Sequence, residues 1–362
     1  MIEYTDYLKL DPYCLDRMEK HKYLTKYLKG LSIYHYANCP QYKKIIDAIG
    51  IDLSVIEDYV DIPFLPVRLF KEYDLKSIQN NEINKTMTSS GTTGQKVSMV
   101  YLDRETSANQ SRILTQIVSS FIGKKRLPMI ILDSPTVLKD KKKFSARGAG
   151  ILGFSMFGRD KIYALDENMN LDIAKLREFL VKYQGENIFV FGFTFMIWEC
   201  FIKALLRTGE KVDLSNAYLI HGGGWKKLES EKITHEQFKN VLNQICGIQH
   251  VMDYYGMVEQ TGTIYMECEY GHLHAPIYSD VIVRRKEDFS QADFGEEGLL
   301  EVVSILPKSY PGHVLLTEDA AVLLGEDDCP CGRKGKYFKV IGRIKNAEIR
   351  GCSDTYAGVA NR

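Results

Sequence analysis

An α/β fold is predicted by two features of the chain: strand–loop–helix alternation through its middle, and a run of short β-type segments towards its end. The alternation begins after residue 80. "VSMVYL" has strand character, "SANQSRILTQIVSSFI" reads as a helix, and "LPMIILDSP" is a strand ending in a turn. "MNLDIAKLREFLVKY" spaces its apolar residues as an amphipathic helix does; "NIFVFGF" is a strand and "FMIWECFIKALLRTG" a helix. "NAYLIHGGG" is a strand leaving through glycines, "THEQFKNVLNQIC" a helix, and "HVMDYYGM" a further strand and turn. Alternation of this kind implies helices flanking a sheet, and such sheets place ligands in the loops that follow their strands. From Gly271 onward the segments "YSDVIVRR", "EGLLEVVSI", "GHVLLTEDAAVLL" and "YFKVIGR" predict a β-rich region.

The N-terminal part differs. From Asp16 to about Ile49 apolar residues recur at helical spacing: Tyr23, Tyr27, Leu31, then Tyr42, Ile45, Ile46 and Ile49, with a break at Pro40. "DIPFLPVRLFKEYDL" contains two prolines and is expected to be extended or irregular. The chain therefore divides into an N-terminal helical part (1–80), an α/β core (81–345) whose β-rich region covers 271–345, and a short C-terminal tail (346–362).

Bulk composition narrows the functions open to this chain. Its 362 residues are 45% hydrophobic, enough for a sizeable core. Lys+Arg and Asp+Glu are both 47, a balance that argues against nucleic acid or an anionic membrane surface as partner. The N-terminal "MIEYTDYLKLDPYCLDR" is charged and does not read as a signal peptide. The longest apolar run, Ile188 to Trp198, falls short of the about 20 residues a bilayer span needs. No membrane insertion is expected, and the eight cysteines read as reduced thiols of a cytoplasmic protein.

Function is carried by several turns. "TSSGTTGQK" (Thr88 to Lys96) combines hydroxyls, glycines and a lysine, the composition of a loop that wraps phosphate, although the Walker A spacing is absent. "HGGGW" follows a strand, and "DYYGMVEQTG" places an aromatic and a glycine ahead of Glu259. "LLTEDAA" holds an acid at a strand end, and "GRIKNAEIRG" follows downstream. In order and spacing these segments resemble the adenylate-forming superfamily of acyl and aryl ligases. "NCPQYKKII", "IPFLPVRLFK", "FSARGAGILGF" and "HGGGWKK" narrow the resemblance to the LuxE-type acyl-protein synthetases, across essentially the whole chain. "ECEYGHLHAP" and "CPCGR" are similar in outline to the phenylacetate–CoA ligases.

The resemblance implies the large domain of an adenylate-forming enzyme, with flanked β-sheets, a small β-rich region and an AMP-binding core. Most members of the superfamily carry a further C-terminal domain of about a hundred residues. This sequence is expected to lack it, because it ends shortly after the "GRIKN" segment. The implied reaction activates a carboxylic acid, by family a fatty acid, with ATP and Mg²⁺. In that reading Ser89, Ser90, Gly91, Thr92, Thr93, Gly94 and Lys96 cradle phosphates, and Glu259 helps to hold Mg²⁺. Tyr255 and Gly256 flank the adenine, Gly222, Gly223 and Gly224 form the other wall, Asp319 binds the ribose hydroxyls, and Arg343 supports ribose or phosphate. Asp319 and Tyr255 serve equally well, by residue type alone, as turn and core residues.

The tail "EIRGCSDTYA" resembles the acyl-accepting cysteine segment of the LuxE-type family, which makes Cys352 the implied nucleophile. The partner implied is an acyl-accepting, reductase-like protein. Cys268, His272, His274, Cys329 and Cys331 offer N and S ligands for a four-coordinate structural zinc, with His274 the better match; buried reduced cysteines and a surface histidine fit the same residues. Cys14, Cys39, Cys200 and Cys246 read as core or incidental residues. Two other functions stay open at this point: a carboxylate–CoA or carrier-protein ligase of the phenylacetate–CoA ligase type, and a non-catalytic zinc-stapled interaction module.

Overall fold

The computed structural model describes residues 2–89, 96–138, 146–224 and 233–344. The chain forms two compact units, one from Met1–Ile117 and Gly256–Arg362, the other from Val118–Tyr255. In chain order the strands are β1 (Leu65–Pro66), β2 (Lys85–Thr88), β3 (Met99–Leu102), β4 (Leu127–Ile131), β5 (Gly158–Tyr163), β6 (Ile188–Phe193) and β7 (Ala217–Gly222). They continue with β8 (His250–Tyr255), β9 (Tyr265–Glu267), β10 (Leu273–His274), β11 (Ser279–Arg284), β12 (Glu297–Ser304), β13 (Val314–Glu326) and β14 (Lys336–Arg343).

The Val118–Tyr255 unit is a parallel sheet in the order β5-β4-β6-β7-β8. A helix follows each of the first four strands in the chain: Ala146–Ser155 after β4, Ile173–Lys182 after β5, residues 194–208 after β6 and His235–Cys246 after β7. Helices on both faces bury every residue of β6, which is why it reads as an unbroken apolar run. Val190, Ile197, Leu219 and Leu242 share its core, and each fully buried aliphatic side chain contributes about 1.5–3 kcal/mol. Local signals start and stop the helices. The Asp172 carboxylate accepts the Lys175 N–H at 3.0 Å. Thr234 and Gln237 form a reciprocal capping box at 3.1 and 2.9 Å, and Gly247 ends the same helix in the left-handed conformation at φ 75°. Strand order reverses at β4, so the carboxyl ends of β4 and β6 flank the switch point where such sheets bind ligands.

The other unit is chiefly antiparallel, in the order β11-β12-β13-β14-β10-β9, with β1 added parallel to β13; β2 and β3 form a separate hairpin. Its N-terminal helices are Arg17–Asn38, capped by the Asp16 carboxylate on the Glu19 N–H at 3.0 Å, and Pro40–Ile49, with Pro40 in the first turn where its missing N–H costs nothing. The proline segment is extended or irregular, as expected, up to Pro66, and turns helical only beyond it. Pro66 sits in the two-residue strand β1, and Leu69–Glu72 turn into a short helix beyond the last proline.

One buried polar network holds this unit together. Asp280, on β11, lies 3.1 Å from the Lys20 ammonium, 2.9 Å from that of Lys336 and 2.5 Å from the Tyr59 hydroxyl. Lys20 and Asp280 are both 1% exposed, and Lys20 also donates to the Ala275 carbonyl at 3.0 Å. Burial would raise the Asp280 carboxyl, but the two lysines outweigh it and hold it well below the usual carboxylate range. Asp280→Ala leaves Lys20 buried without its counter-charge, so urea unfolding should show a loss of about 3–5 kcal/mol. Because the folded pKa is depressed, the stabilisation is present above the unfolded carboxylate value and is lost as pH falls through the folded one. The variant should therefore be less acid-sensitive than the parent, from a lower starting stability.

Candidate active site

In the antiparallel unit the predicted phosphate-loop residues flank a hairpin. The register of β2 and β3 pairs Thr88 with Met99. Beyond it, the Ser89 N–H donates to the Ser98 carbonyl at 3.1 Å and the Ser98 N–H to Ser89 Oγ at 2.9 Å. Lys96 is exposed. Ser90, Gly91, Thr92, Thr93 and Gly94 lie outside the described residues.

Glu259 occupies a short 3-10 turn, Val258–Gln260, and is 6% exposed. The turn is anchored on both sides. Gln260 Nε2 donates to the carbonyls of Val302 at 3.0 Å and Gly312 at 2.9 Å, and Thr261 Oγ1 to that of Val258 at 2.8 Å. Two glycines make room for it. A Cβ at Gly312 would lie 2.6 Å from the Glu259 carbonyl oxygen, and one at Gly262, whose φ is +94°, would lie 2.6 Å from Gln110 Cα. Burial pushes the Glu259 carboxyl up, against the opposing pull of Ser98, its own backbone, Lys71 and Arg343. Asp319 and Arg343 face each other across β13 and β14, and the Asp319 N–H donates to Thr317 Oγ1 at 3.1 Å. Asp319 is half-buried and Arg343 exposed. This unit therefore holds a buried acid beside a hydroxyl, and a second acid opposite the Arg343 cation. Ser98 and Lys71 were not apparent from the sequence; Lys71 comes from the short helix Leu69–Glu72 and Ser98 from the strand side of the hydroxyl loop.

In the parallel unit the three glycines follow His221 at the carboxyl end of β7. A Cβ at Gly222 would lie 2.4 Å from the Tyr254 ring, and Gly223 takes φ +76° beside Phe193. Gly224 faces open space. His221 is buried, with Nδ1 2.9 Å from Thr194 Oγ1. Tyr255 ends β8, half-buried, and Gly256 follows it in an exposed position. At the switch point Asp133, which follows β4, is 3.0 Å from Arg147 on the next helix. Burial raises the Asp133 carboxyl and Arg147 lowers it. The apolar tract around β6 is packed: Phe154 stacks on Phe191 at 4.3 Å and tilts against Tyr254 at 5.0 Å.

Residues 3–359 match the family described as "Acyl-protein synthetase, LuxE". The chain belongs to the LuxE acyl-protein synthetase family. A long-chain-fatty-acid–luciferin-component ligase from Vibrio harveyi is 23% identical over 351 residues, covering 93% of this chain and 88% of that protein. Another, from Aliivibrio fischeri, is 22% identical over 359 residues, covering 95% and 90%. Among solved structures, 2-hydroxyisobutyryl-CoA ligase in its post-adenylation state with 2-HIB-AMP superposes with a TM-score of 0.69 at 15% identity, covering 92% of this chain and 70% of that one. The fold is thus the mixed α/β fold of adenylate-forming ligases.

Of the residues expected to bear on this family's chemistry, Glu259, Asp319 and Arg343 fall in one unit, with Arg343 opposite Asp319, and the glycine turn and Tyr255 fall in the other. Cys352 lies outside the described residues. Cys268, His274, Cys329 and Cys331 converge, with their ligand atoms all within 4.8 Å of one another. No helix among the described residues is long and apolar enough to cross a membrane.

Proposed function

We propose that this LuxE-family chain activates a fatty acid with ATP and passes the acyl group through Cys352 to a partner protein. In the first step a carboxylate oxygen of the acid attacks the α-phosphorus of ATP, the bond from that phosphorus to the bridging oxygen breaks, and pyrophosphate leaves with the electron pair. In the second, the Cys352 thiolate attacks the acyl carbonyl carbon, AMP leaves, and a thioester remains on the chain. The partner's nucleophile then takes the acyl group and frees the thiolate. The fatty acid follows the names of the curated relatives; an acyl-accepting, reductase-like partner follows the family resemblance.

The observation that carries this reading is the Glu259 environment. A carboxyl 6% exposed, held on an anchored turn beside a hydroxyl, would supply an oxygen ligand for a cation, and Lys71 and Arg343 of the same unit would add positive charge for phosphate. Burial has raised this carboxyl, and a bound cation would restore its charged form. Glu259 would hold the Mg²⁺ that accompanies ATP, which neutralises charge on phosphate oxygens. Ser89 and Lys96 would bind those oxygens from the hairpin, with Ser90, Gly91, Thr92, Thr93 and Gly94 between them. Asp319 and Arg343 would hold the ribose, and Tyr255, Gly256 and the Gly222–Gly224 turn the adenine.

The test is ATP–pyrophosphate exchange with a panel of straight-chain acids from acetate to palmitate. Exchange that requires a long-chain acid is expected. Exchange absent with every acid would end the proposal. Exchange followed by an acyl product formed only when CoA is added would favour a CoA ligase instead.

A further inference from the structure

We propose that Cys268, His274, Cys329 and Cys331 hold one structural zinc ion in a closed shell of three thiolates and an imidazole. The four residues come from two turns far apart in sequence. Cys268 opens the turn between β9 and β10, closed by Cys268 N–H to His272 carbonyl at 2.9 Å and Gly271 N–H to Cys268 carbonyl at 2.9 Å. His274 lies just beyond that turn, on β10. Cys329 and Cys331 lie in the turn between β13 and β14, where the Gly332 N–H donates to the Cys329 carbonyl at 2.9 Å and Gly332 takes φ +79°. Each pair is thus presented by a tight, glycine-assisted turn. The pairing of β10 with β14, His274 opposite Tyr337, brings the two turns together.

The distances suit a metal better than any direct contact. Cys268 Sγ and Cys329 Sγ are 4.0 Å apart, twice the about 2.05 Å of a disulfide. Cys331 Sγ is 3.3 Å from His274 Nε2. A tetrahedral zinc with Zn–S near 2.3 Å and Zn–N near 2.0 Å separates its sulfur ligands by about 3.8 Å and its S–N pairs by about 3.5 Å. The four-atom cluster, all within 4.8 Å, has the dimensions of that shell before any ion is placed in it. Cys268, His274 and Cys329 are 1%, 0% and 4% exposed and Cys331 is half-buried; four protein ligands would fill a tetrahedral ion and leave no position for a substrate. Neighbours suit a site of net negative charge. His272 Nδ1 is 3.3 Å from Cys329 Sγ, placed to donate to a thiolate, and Arg333 bears on Cys331 from the next turn residue but one.

The shell has a mechanical use. β10 is two residues long and β9 three, too short to hold register by backbone bonds alone. A zinc ion bridging residues 268 and 329 closes a long loop and fixes this end of β14, whose other end carries Arg343.

Elemental analysis of the full chain, purified from zinc-supplemented cells without chelator, should find one zinc per chain. An organomercurial that caps thiolates should release it, and the released metal can be read with a chromogenic chelator. Replacement by Co²⁺ should give the intense thiolate charge-transfer and visible bands of a tetrahedral cobalt centre. Stripping the metal should lower Tm by several degrees, restored on adding Zn²⁺. Cys329→Ser should lose the ion, whereas Cys14→Ser and Cys200→Ser should keep it. Should Cys329→Ser fail to fold, the wild-type stoichiometry and cobalt spectrum decide alone. Trace zinc that does not rise to one equivalent on reconstitution, a cobalt spectrum lacking thiolate bands, or a disulfide mapped within the cluster overturns the proposal. None of these readouts depends on ligase activity.

Discussion

Glu259→Gln should lower acid-dependent ATP–pyrophosphate exchange by about 10²–10³-fold, the scale on which removing one preorganised charge-stabilising group acts. The same variant should unfold at an equal or higher urea concentration at pH 7. The two effects have one cause. Burial raises the Glu259 carboxyl, so the native chain holds this proton more tightly than the unfolded chain does. Its contribution favours folding below the unfolded glutamate pKa of about 4.3 and becomes a cost once pH has risen past its own higher value. A neutral amide of nearly the same shape avoids that cost and cannot hold a cation. Exchange at wild-type rate in Glu259→Gln would remove this residue from the reaction. Loss of exchange together with a large fall in stability would show that the carboxylate serves the fold, since the Gln260 and Thr261 side chains hold the turn by bonds to the Gly312 and Val258 carbonyls whichever residue stands at 259.

What could be read from the sequence, and what could not, follows from where the signal resides. β6 is visible as an unbroken apolar run, and the helix Pro40–Ile49 because its apolar residues repeat at helical spacing and Pro40 marks its start. The helix Ala146–Ser155 escapes such a reading. Gly148, Gly150 and Gly153 depress its propensity, yet a Cβ at Gly150 would lie 2.9 Å from the Phe193 ring, so close packing on β6 requires a glycine there. β5 is hidden for another reason: it lies at the sheet edge and carries Arg159, Asp160 and Lys161, which suit an edge and mask strand character. The site divides in the same way. The glycine turn and the Glu259 segment are contiguous motifs. The residues that bear on Glu259, namely Ser98, Lys71 and Arg343, come from three separate segments, and no spacing rule connects them. The ligand cluster is intermediate: five candidates were legible, and only the pairing of β10 with β14 selects four.

Cys352→Ser should abolish the covalent acyl adduct seen by intact-mass analysis with acid, ATP and Mg²⁺, while acid-dependent exchange continues at the wild-type rate. The first reaction needs only the nucleotide and the acid; the second needs a sulfur that can ionise and reach a carbonyl. The described cysteines are poor candidates for that sulfur. Burial raises Cys39 and Cys200 and pushes Cys246 up to about 12. Cys14 is exposed, but partial burial and the neighbouring Asp11 raise it as well. Cys268, Cys329 and Cys331 face one another in the ligand cluster. Cys352 stands instead in "RGCSD", two residues from Arg350, whose positive charge would favour the thiolate if it faces the sulfur. The adduct should be released by neutral hydroxylamine, as a thioester is and an amide is not, and Cys14→Ser should leave it in place. An adduct that survives Cys352→Ser, or maps by peptide mass to another residue, would move the acyl carrier elsewhere. Loss of exchange along with the adduct would mean that the tail takes part in binding the nucleotide or the acid, which the two-step scheme does not allow.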